Sequence, residues 1–251
     1  MPSFREPQCT RLRFVDRELR RALRGAIARA DGPAVLAALE HLGLDQYLQF
    51  AGDGLLVAVA QHTDGARSWA ERCATQLRAR DWIGDSDLAD VLDAALGTAA
   101  PAALTPLEVD LDDISEILED NNPDGGAIDL ATGEVWNHSM IDYAGDTDDE
   151  PPDLDDDTRW LYVPSDGPDE GYRDMHDFIA TVDDPLIADR LAIAIDGKGA
   201  FRRFRDVIQR WEQIEDDWYR FSDERRRGRA RAWLATVGYT TTSNAPSSPT
   251  T

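Results

Sequence analysis

The sequence predicts an α+β, predominantly helical protein: a helical amino-terminal domain, then a small α+β carboxy-terminal domain with a β-hairpin and an additional strand. Three observations carry this prediction. Apolar residues recur at helical spacing through most of residues 1–100. Two short β-type segments flank the turn Ala131-Thr132-Gly133, and the alternating segment Trp160–Val163 predicts the additional strand.

The first domain, residues 1–100, is predicted to be a series of helices interrupted by one hairpin. The helical stripes are Leu19/Leu23/Ile27/Ala30, Val35/Leu39/Leu42, Trp69/Cys73/Leu77 and Leu88/Val91/Leu92/Ala95/Leu96. Gly43 and Gly97 are expected to end two of these helices, and Asp85 or Ser86 to cap the last. Gly52-Asp53-Gly54 offers turn residues, so segments 47–50 and 55–59 predict a hairpin, with a short helix as the alternative.

The small, uncharged segment Thr98–Leu104 is the predicted linker to the second domain, residues 105–240. The helical patterns expected there are Leu107/Leu111/Ile114/Leu118, Asp174–Ile179, a helix capped by Asp184 with Pro185 first, a stripe from Phe201 to Ile214, and a last helix capped by Ser222. Residues 241–251 are predicted to be a disordered polar tail.

Charge is distributed unevenly along the chain. The net charge is −23, but residues 101–160 hold 19 acidic side chains and one basic side chain, Arg159. The density is highest over Asp142–Asp157, where Pro151 and Pro152 also interrupt regular structure. This stretch predicts a solvated loop, with an electrostatic contact for a basic protein partner as the main functional alternative.

Composition limits the functional classes and the cellular compartments that are expected for this protein. The negative charge argues against general binding to nucleic acid or to anionic membranes. No apolar run reaches the roughly 18–20 residues of a membrane span, and no signal-peptide core is evident. Only Cys9 and Cys73 are present, so no disulfide framework is expected and a reducing cytoplasm is predicted. No zinc-type spacing or nucleotide motif occurs, so no metal or cofactor is expected.

One short segment has the character of an anion site. Gly197-Lys198-Gly199 precedes a predicted helix whose first amides lack partners, and Lys198 is the only lysine in the chain. The sequence favours a tight helix–helix turn in which the glycines only supply the backbone conformation. With Arg202 and Arg203 in the first helical turn, phosphate or nucleotide binding by these residues is the alternative hypothesis.

The second half resembles a known bacterial family. The segments that carry this resemblance are Thr132-Gly133-Glu134-Val135, Met175-x-x-Phe178-Ile179, Ile195-x-Gly197-x-Gly199-Ala-Phe-Arg-Arg-Phe204, Trp218-Tyr-x-Phe221 and Trp233-Leu234 with Gly238. From Leu107 to Tyr239 the chain therefore resembles uncharacterised protein family 0158, and residues 1–104 are not covered. The family has no assigned activity, so the resemblance implies no substrate and no catalytic residue.

Two functions are therefore expected from the sequence. The first is a soluble, non-enzymatic interaction or regulatory protein whose acidic loop, residues 142–157, meets a basic partner. The second is a phosphate- or nucleotide-binding protein, including an enzyme, that uses Gly197, Lys198, Gly199, Arg202 and Arg203.

Overall fold

A computed structural model of the chain describes residues 7–145 and 152–242, and within residues 7–17 it describes the backbone alone. Over these ranges the chain forms eleven helices and five short strands. The predicted α+β, predominantly helical fold class is thus confirmed. The chain divides into two compact units, one ending at Pro106 and one spanning Leu107–Thr241.

The first unit is built from five helices around one apolar core. The helices are α1 (Pro7–Ala28), α2 (Gly32–Leu42), α3 (Leu48–Ala60), α4 (Ala66–Arg80) and α5 (Asp85–Leu96). Leucines from all five meet in this core, among them Leu23, Leu39, Leu55, Leu77 and Leu92. Gly43 and Gly97 end α2 and α5 as predicted, with φ angles of +78° and +73°.

The predicted hairpin over residues 47–59 is wrong, because this segment is α3, as the alternative had it. Its glycines lie where α3 packs closely on its neighbours. A Cβ atom on Gly52 would lie 2.5 Å from Cδ2 of Leu88, and one on Gly54 would lie 2.8 Å from Cγ1 of Val35. Glycine is needed here for close helix packing, and not for a turn.

The residue that caps α5 also differs from the prediction. Gly84 is the N-cap, whereas Asp85 is the first helical residue and is fully buried. Its carboxylate accepts hydrogen bonds from Arg80 Nε at 2.8 Å, the Trp82 amide at 3.0 Å and Gln49 Nε2 at 2.9 Å. Because a buried carboxylate needs such partners, Asp85 links α3, α4 and α5 instead of serving as a cap.

A strand ends at Leu107, the residue from which the sequence predicts a helix. The two-stranded sheet consists of β1 (Thr105–Leu107) and β5 (Tyr239–Thr241). The helix α6 (Leu111–Leu118) starts four residues later and is capped by the Asp110 carboxylate. Because Thr241 belongs to β5, the predicted disordered tail starts one residue too early, and residues 243–251 lie outside the described residues.

The second unit contains a three-stranded antiparallel sheet. Its strands are β2 (Gly126–Asp129), β3 (Val135–Asn137) and β4 (Trp160–Val163), in the order β3-β2-β4. The predicted hairpin and additional strand are therefore confirmed. Ile128 lies opposite Val135 and Leu161, and these three residues pack in one core with residues of α6 and the last helix.

The short helix α7 (His138–Gly145) directly follows β3. A second core of this unit lies among four further helices, which are α8 (Asp169–Ala180), α9 (Pro185–Ile195), α10 (Ala200–Ile208) and α11 (Glu212–Thr236). Asp184 caps α9 as predicted, accepting from the Leu186 amide at 2.9 Å. Phe178 and Phe204 pack edge-on against Trp218, with ring centroids 5.4 and 4.8 Å away.

The stripe from Phe201 to Ile214 belongs to two helices instead of the one predicted. The chain turns after Ile208, and α11 then runs without a break through Ser222, which is therefore not a cap. Phe204 and Ile208 point into the same core as Ile214, so the apolar pattern continues across the turn. Phe201 was expected inside but is 42% exposed.

Candidate functional site

The turn between α9 and α10 has the predicted backbone. Gly197 and Gly199 have φ angles of +77° and +82°, and α10 begins at Ala200. Gly199 is the N-cap and offers no side chain to the first amides of α10. The side chains of Lys198 and Arg202 are exposed, and no described residue forms an ion pair with either.

Arg203 has a different role in this turn. Its Nε donates to the Ala194 carbonyl at 3.0 Å, and its Nη2 donates to the carbonyls of Asp196 at 2.5 Å and Gly197 at 3.2 Å. Its Nη1 donates to the Lys198 carbonyl. The guanidinium therefore binds the backbone carbonyls left unpaired at the end of α9.

The turn thus divides the residues of the predicted anion site into two groups. Arg203 is committed to carbonyl groups, whereas the side chains of Lys198 and Arg202 are exposed and the first amides of α10 have no side-chain cap. Anion binding by this set stays a prediction from the sequence.

The acidic stretch is only partly a loop. Its first described residues, Asp142 to Gly145, belong to α7 (His138–Gly145), a helix that the sequence pattern did not indicate. After the residues outside the described range, Asp153 and Asp156 form turns, in which Asp153 Oδ1 accepts from the Asp155 amide at 3.2 Å and Asp156 Oδ1 from the Thr158 amide at 3.1 Å. The loop prediction is therefore wrong for residues 142–145.

Arg159 anchors the carboxy-terminal end of this stretch. Its guanidinium donates to Asp129 Oδ2, from Nη2 at 3.0 Å, and lies over the Trp160 ring at 5.0 Å. Burial by itself raises the pKa of Asp129, but hydrogen bonds from the Ala131 amide and from Arg159 outweigh it and hold that pKa below its usual value. The one basic residue of the acidic region is thereby used at the sheet.

The sequence did not indicate that His138 lies in a cluster with two carboxylates. Its Nε2 lies 3.0 Å from Asp142 Oδ2, four residues on in α7, and 3.6 Å from Asp124 Oδ2 in the loop before β2. The i, i+4 spacing to Asp142 is visible in the sequence, but Asp124 comes near only because β2 and β3 pair.

Four arginines of α11 pair with carboxylates in or next to α6 and α8: Arg225, Arg226, Arg227 and Arg229. Asp174 in α8 accepts from Arg225 Nε at 2.6 Å and from Arg229 Nη2 at 2.7 Å. Glu119, just after α6, pairs with Arg229 and also with Arg226, whose Nε lies 3.1 Å away. Arg227 donates to Asp112 at 2.8 Å and Arg225 also to Asp177 at 3.1 Å.

These pairs lie largely within the protein. Asp174 is 1% exposed, and burial alone would lower the pKa of Arg229, but the hydrogen bonds and charges of Asp174 and Glu119 outweigh it and raise that pKa. From residue type and position alone, the arginines at positions 225, 226, 227, 229 and 231 are expected to attract the acidic stretch of the same chain. In the described ranges the first four of these arginines pair with the carboxylates named above.

Two general properties complete the description. Within the described residues, no three His, Cys, Asp or Glu side chains are placed so that they could hold a metal ion. None of the described helices has both the length and the apolar character needed to cross a bilayer.

Comparison with known proteins confirms the resemblance of the second half. Residues 127–244 match the model of an uncharacterised protein family (UPF0158). A protein of Pseudomonas aeruginosa that carries the same family name is 33% identical over 60 residues, which are 24% of this chain and 39% of that protein. The match therefore spans well under half of the curated relative. No solved structure matches the chain.

Proposed function

We propose that the protein is an interaction protein whose acidic stretch binds a positively charged partner protein. The family that residues 127–244 match is described without an activity. The observation that carries this proposal is the lack of internal neutralisation. Asp153, Asp155 and Asp157 are exposed, and no basic side chain of the described residues pairs with them.

Basic residues of this unit form ion pairs with carboxylates outside the described part of the stretch. Arg159 bonds to the buried Asp129, and Arg225, Arg226, Arg227 and Arg229 pair with carboxylates of α6, α8 and the residues next to them. Among the described residues, the exposed carboxylates of Asp153, Asp155 and Asp157 are therefore left to interact with groups outside the chain.

Such a concentration of charge is suited to electrostatic recognition. Two unit charges 4 Å apart in water interact by about 1 kcal/mol, and salt screens the interaction beyond roughly 8 Å at physiological ionic strength. A single pair contributes little, but a dense stretch raises the association rate of an oppositely charged partner and selects against negatively charged ones.

The direct test uses a labelled oligo-lysine peptide as the probe. The triple variant Asp153→Asn/Asp155→Asn/Asp157→Asn should bind it at least about threefold more weakly than the parent at physiological salt, since each exposed pair is worth about 0.2–1 kcal/mol and three pairs are lost. Asparagine keeps the side-chain oxygen that accepts from the Asp155 amide, so the turn at Asp153 is preserved. Fluorescence anisotropy measures the affinity.

The matched control changes the same amount of charge elsewhere. Glu40→Gln/Asp64→Asn/Asp183→Asn removes three exposed carboxylates outside the stretch. An equal loss of affinity in both triple variants would show that only the net charge matters and would contradict the proposal.

The second candidate is phosphate or nucleotide binding at the turn between α9 and α10. It is supported by the uncapped first amides of α10 and by the outward-facing Lys198 and Arg202. Phosphate, pyrophosphate and ATP should then raise the melting temperature of the parent and not that of Lys198→Ala. Absence of a shift with all three compounds would exclude this candidate.

A further inference from the structure

Strand β4 forms one edge of the three-stranded sheet. Within the described residues β2 pairs with one side of β4, and no strand pairs with the other side. We call this second side the open edge of β4. Tyr162, the third of the four residues of β4, is 46% exposed. Backbone groups at such an edge can pair with a strand of another chain.

The hydrogen bonds beside β4 show which of its backbone groups point to the open edge. Leu130 lies opposite Arg159, and its amide donates to the Arg159 carbonyl at 2.7 Å. Hydrogen-bonded and non-hydrogen-bonded pairs alternate along an antiparallel ladder. Leu161 is therefore bonded to β2, whereas Tyr162 turns its N–H and C=O to the open edge. Within the described part of the chain no backbone hydrogen bond uses these two groups.

The open edge is short, because different features end it on the two sides. Pro164, just after β4, has no N–H and cannot continue the pairing. At the other end the Trp160 amide donates to the Asp156 carbonyl at 2.9 Å and is thereby part of the acidic turn at residues 153–157. The Trp160 carbonyl and the two groups of Tyr162 are thus the ones that an added strand can bind.

The acidic turn leads directly into the open edge. The Asp156 carbonyl accepts from the amides of both Arg159 and Trp160, so the turn is folded onto the start of β4. Asp157 is five residues before Tyr162, and at most about 18 Å therefore separates their Cα atoms. A segment of about six residues that pairs with β4 reaches the carboxylates of the turn.

We infer that the open edge of β4 binds an extended cationic segment of the partner protein, which adds to the sheet as a fourth strand. This inference rests on the proposed function and states the conformation in which the partner segment binds. The backbone of the segment bonds to Tyr162 and to the Trp160 carbonyl, and its lysine or arginine side chains pair with the carboxylates of the acidic turn.

Charge favours a cationic partner over a second copy of β4 at this edge. Asp166 and Asp169 are exposed beyond the far end of the strand. Arg159 is the one basic residue in positions 153–169, and it bonds to Asp129. A second β4 would therefore bring negative charge against the acidic turn in either strand orientation, and like charges that face each other oppose pairing.

The test uses three labelled peptides in which lysine and threonine alternate: one unmodified, one N-methylated at every second residue and one N-methylated at every residue. All three carry the same charge. The parent should bind the fully methylated peptide at least about fivefold more weakly than the unmodified one, because the N–H groups that donate to Tyr162 and Trp160 are lost. It should bind the half-methylated peptide nearly as well as the unmodified one, because one side of an extended strand keeps all its N–H groups.

Fluorescence anisotropy measures the three affinities. Equal affinity for all three peptides would overturn the inference, and so would a loss that grows in proportion to the number of methyl groups. Amide hydrogen exchange provides a second readout: the unmodified peptide should slow exchange over residues 160–163, and the fully methylated peptide should not. Unchanged exchange with both peptides would contradict strand addition.

A pair of variants tests the same edge from the side of the protein. Tyr162→Pro removes the outward N–H and spares the bonds between β4 and β2, and Tyr162→Ala is the matched control because it removes the ring but keeps the N–H. Tyr162→Pro should bind the unmodified peptide at least about twofold more weakly than Tyr162→Ala. Circular dichroism verifies folding, and equal affinity of the two folded variants would contradict the inference. The peptide series needs no variant and decides the question if Tyr162→Pro does not fold.

The outcomes also separate this inference from the proposed function. If Asp153→Asn/Asp155→Asn/Asp157→Asn weakens binding of all three peptides but the parent does not distinguish them, the stretch binds cations and the inference alone fails. If that triple variant binds every peptide as the parent does, the proposed function fails and the inference fails with it. Sedimentation of the chain alone tests the other occupant: self-association that is lost in Tyr162→Pro and kept in Tyr162→Ala would assign the open edge to a second copy and overturn the inference.

Discussion

Gly133 occupies a position in which no other residue fits. Its φ angle is +77°, and a Cβ there would lie 1.6 Å from the Glu108 carbonyl oxygen. Gly133→Ala should therefore lower the free energy of unfolding by roughly 2–4 kcal/mol, measured by urea denaturation. Gly197→Ala is the control, because its φ is also +77° but nothing lies within 4 Å, so only the left-handed strain of about 1–2 kcal/mol applies. Equal losses would contradict the steric explanation.

Ionisation of Asp129 makes the free energy of unfolding depend on pH in the acidic range. Burial raises the pKa of Asp129 in the folded protein, but the hydrogen bonds from the Ala131 amide and from Arg159 outweigh this effect, so the pKa is lowered. As the pH falls, Asp129 of the unfolded chain therefore takes up its proton before Asp129 of the folded protein does. The contribution of Asp129 to the free energy of unfolding is complete above about pH 4 and is lost as the pH falls further, through the pKa of the folded state.

The corresponding measurement compares the parent with Asp129→Asn. The difference in their free energies of unfolding should be largest near neutral pH and shrink as the pH falls through the acidic range. Urea denaturation at a series of pH values gives this difference. A difference that stays constant with pH would show that the pKa of Asp129 is the same in the folded and the unfolded chain and would contradict this prediction.

At the scale of helices, a shared set of ion pairs joins α11 to α8 and α6. Asp174 accepts from both Arg225 and Arg229 and is almost fully buried. Removing one partner of a buried pair leaves the other charge without compensation, so Asp174→Asn should cost about 3–5 kcal/mol. Asp177→Asn removes a 50% exposed partner of Arg225 and should cost about 1 kcal/mol or less. Thermal and urea denaturation distinguish the two, and similar losses would contradict the buried role of Asp174.

At the scale of the whole molecule, the division into two units predicts where a protease cuts first. Residues 98–103 are exposed, and residues 98–104 include no helix or strand, whereas α5 and β1 flank them. Elastase, which prefers small residues, should therefore cleave within Thr98–Leu104 and leave two resistant fragments. Mass spectrometry locates the cut. First cleavage inside α2–α5 or α8–α11 would show that the linker is not the most accessible part of the described chain.

The sequence predicted the elements whose signals are local. Asp184 with Pro185, Gly43 and Gly97 act on the amides and carbonyls next to them, so their roles follow from residue type and spacing. The same reasoning located the hairpin at Gly133 and the start of α10 at Ala200.

The predictions that were wrong depended on neighbours distant in the sequence. Gly52 and Gly54 indicated a turn, but they are glycines because α2 and α5 come within van der Waals contact of α3. The turn after Ile208 was missed because the residues on both sides of it enter one core. Periodicity shows which residues are apolar, and it does not show how many helices carry them.

For the candidate sites, the sequence by itself determined the amount and position of charge: the acidic stretch, the arginines of α11 and the isolated Lys198. Only the tertiary structure decided which charges compensate one another. It pairs four arginines of α11 with Asp112, Glu119, Asp174 and Asp177, and it commits Arg203 to carbonyl groups. The physical reason is that an ion pair depends on distances of a few ångströms between side chains, and here the partners are up to 115 residues apart along the chain.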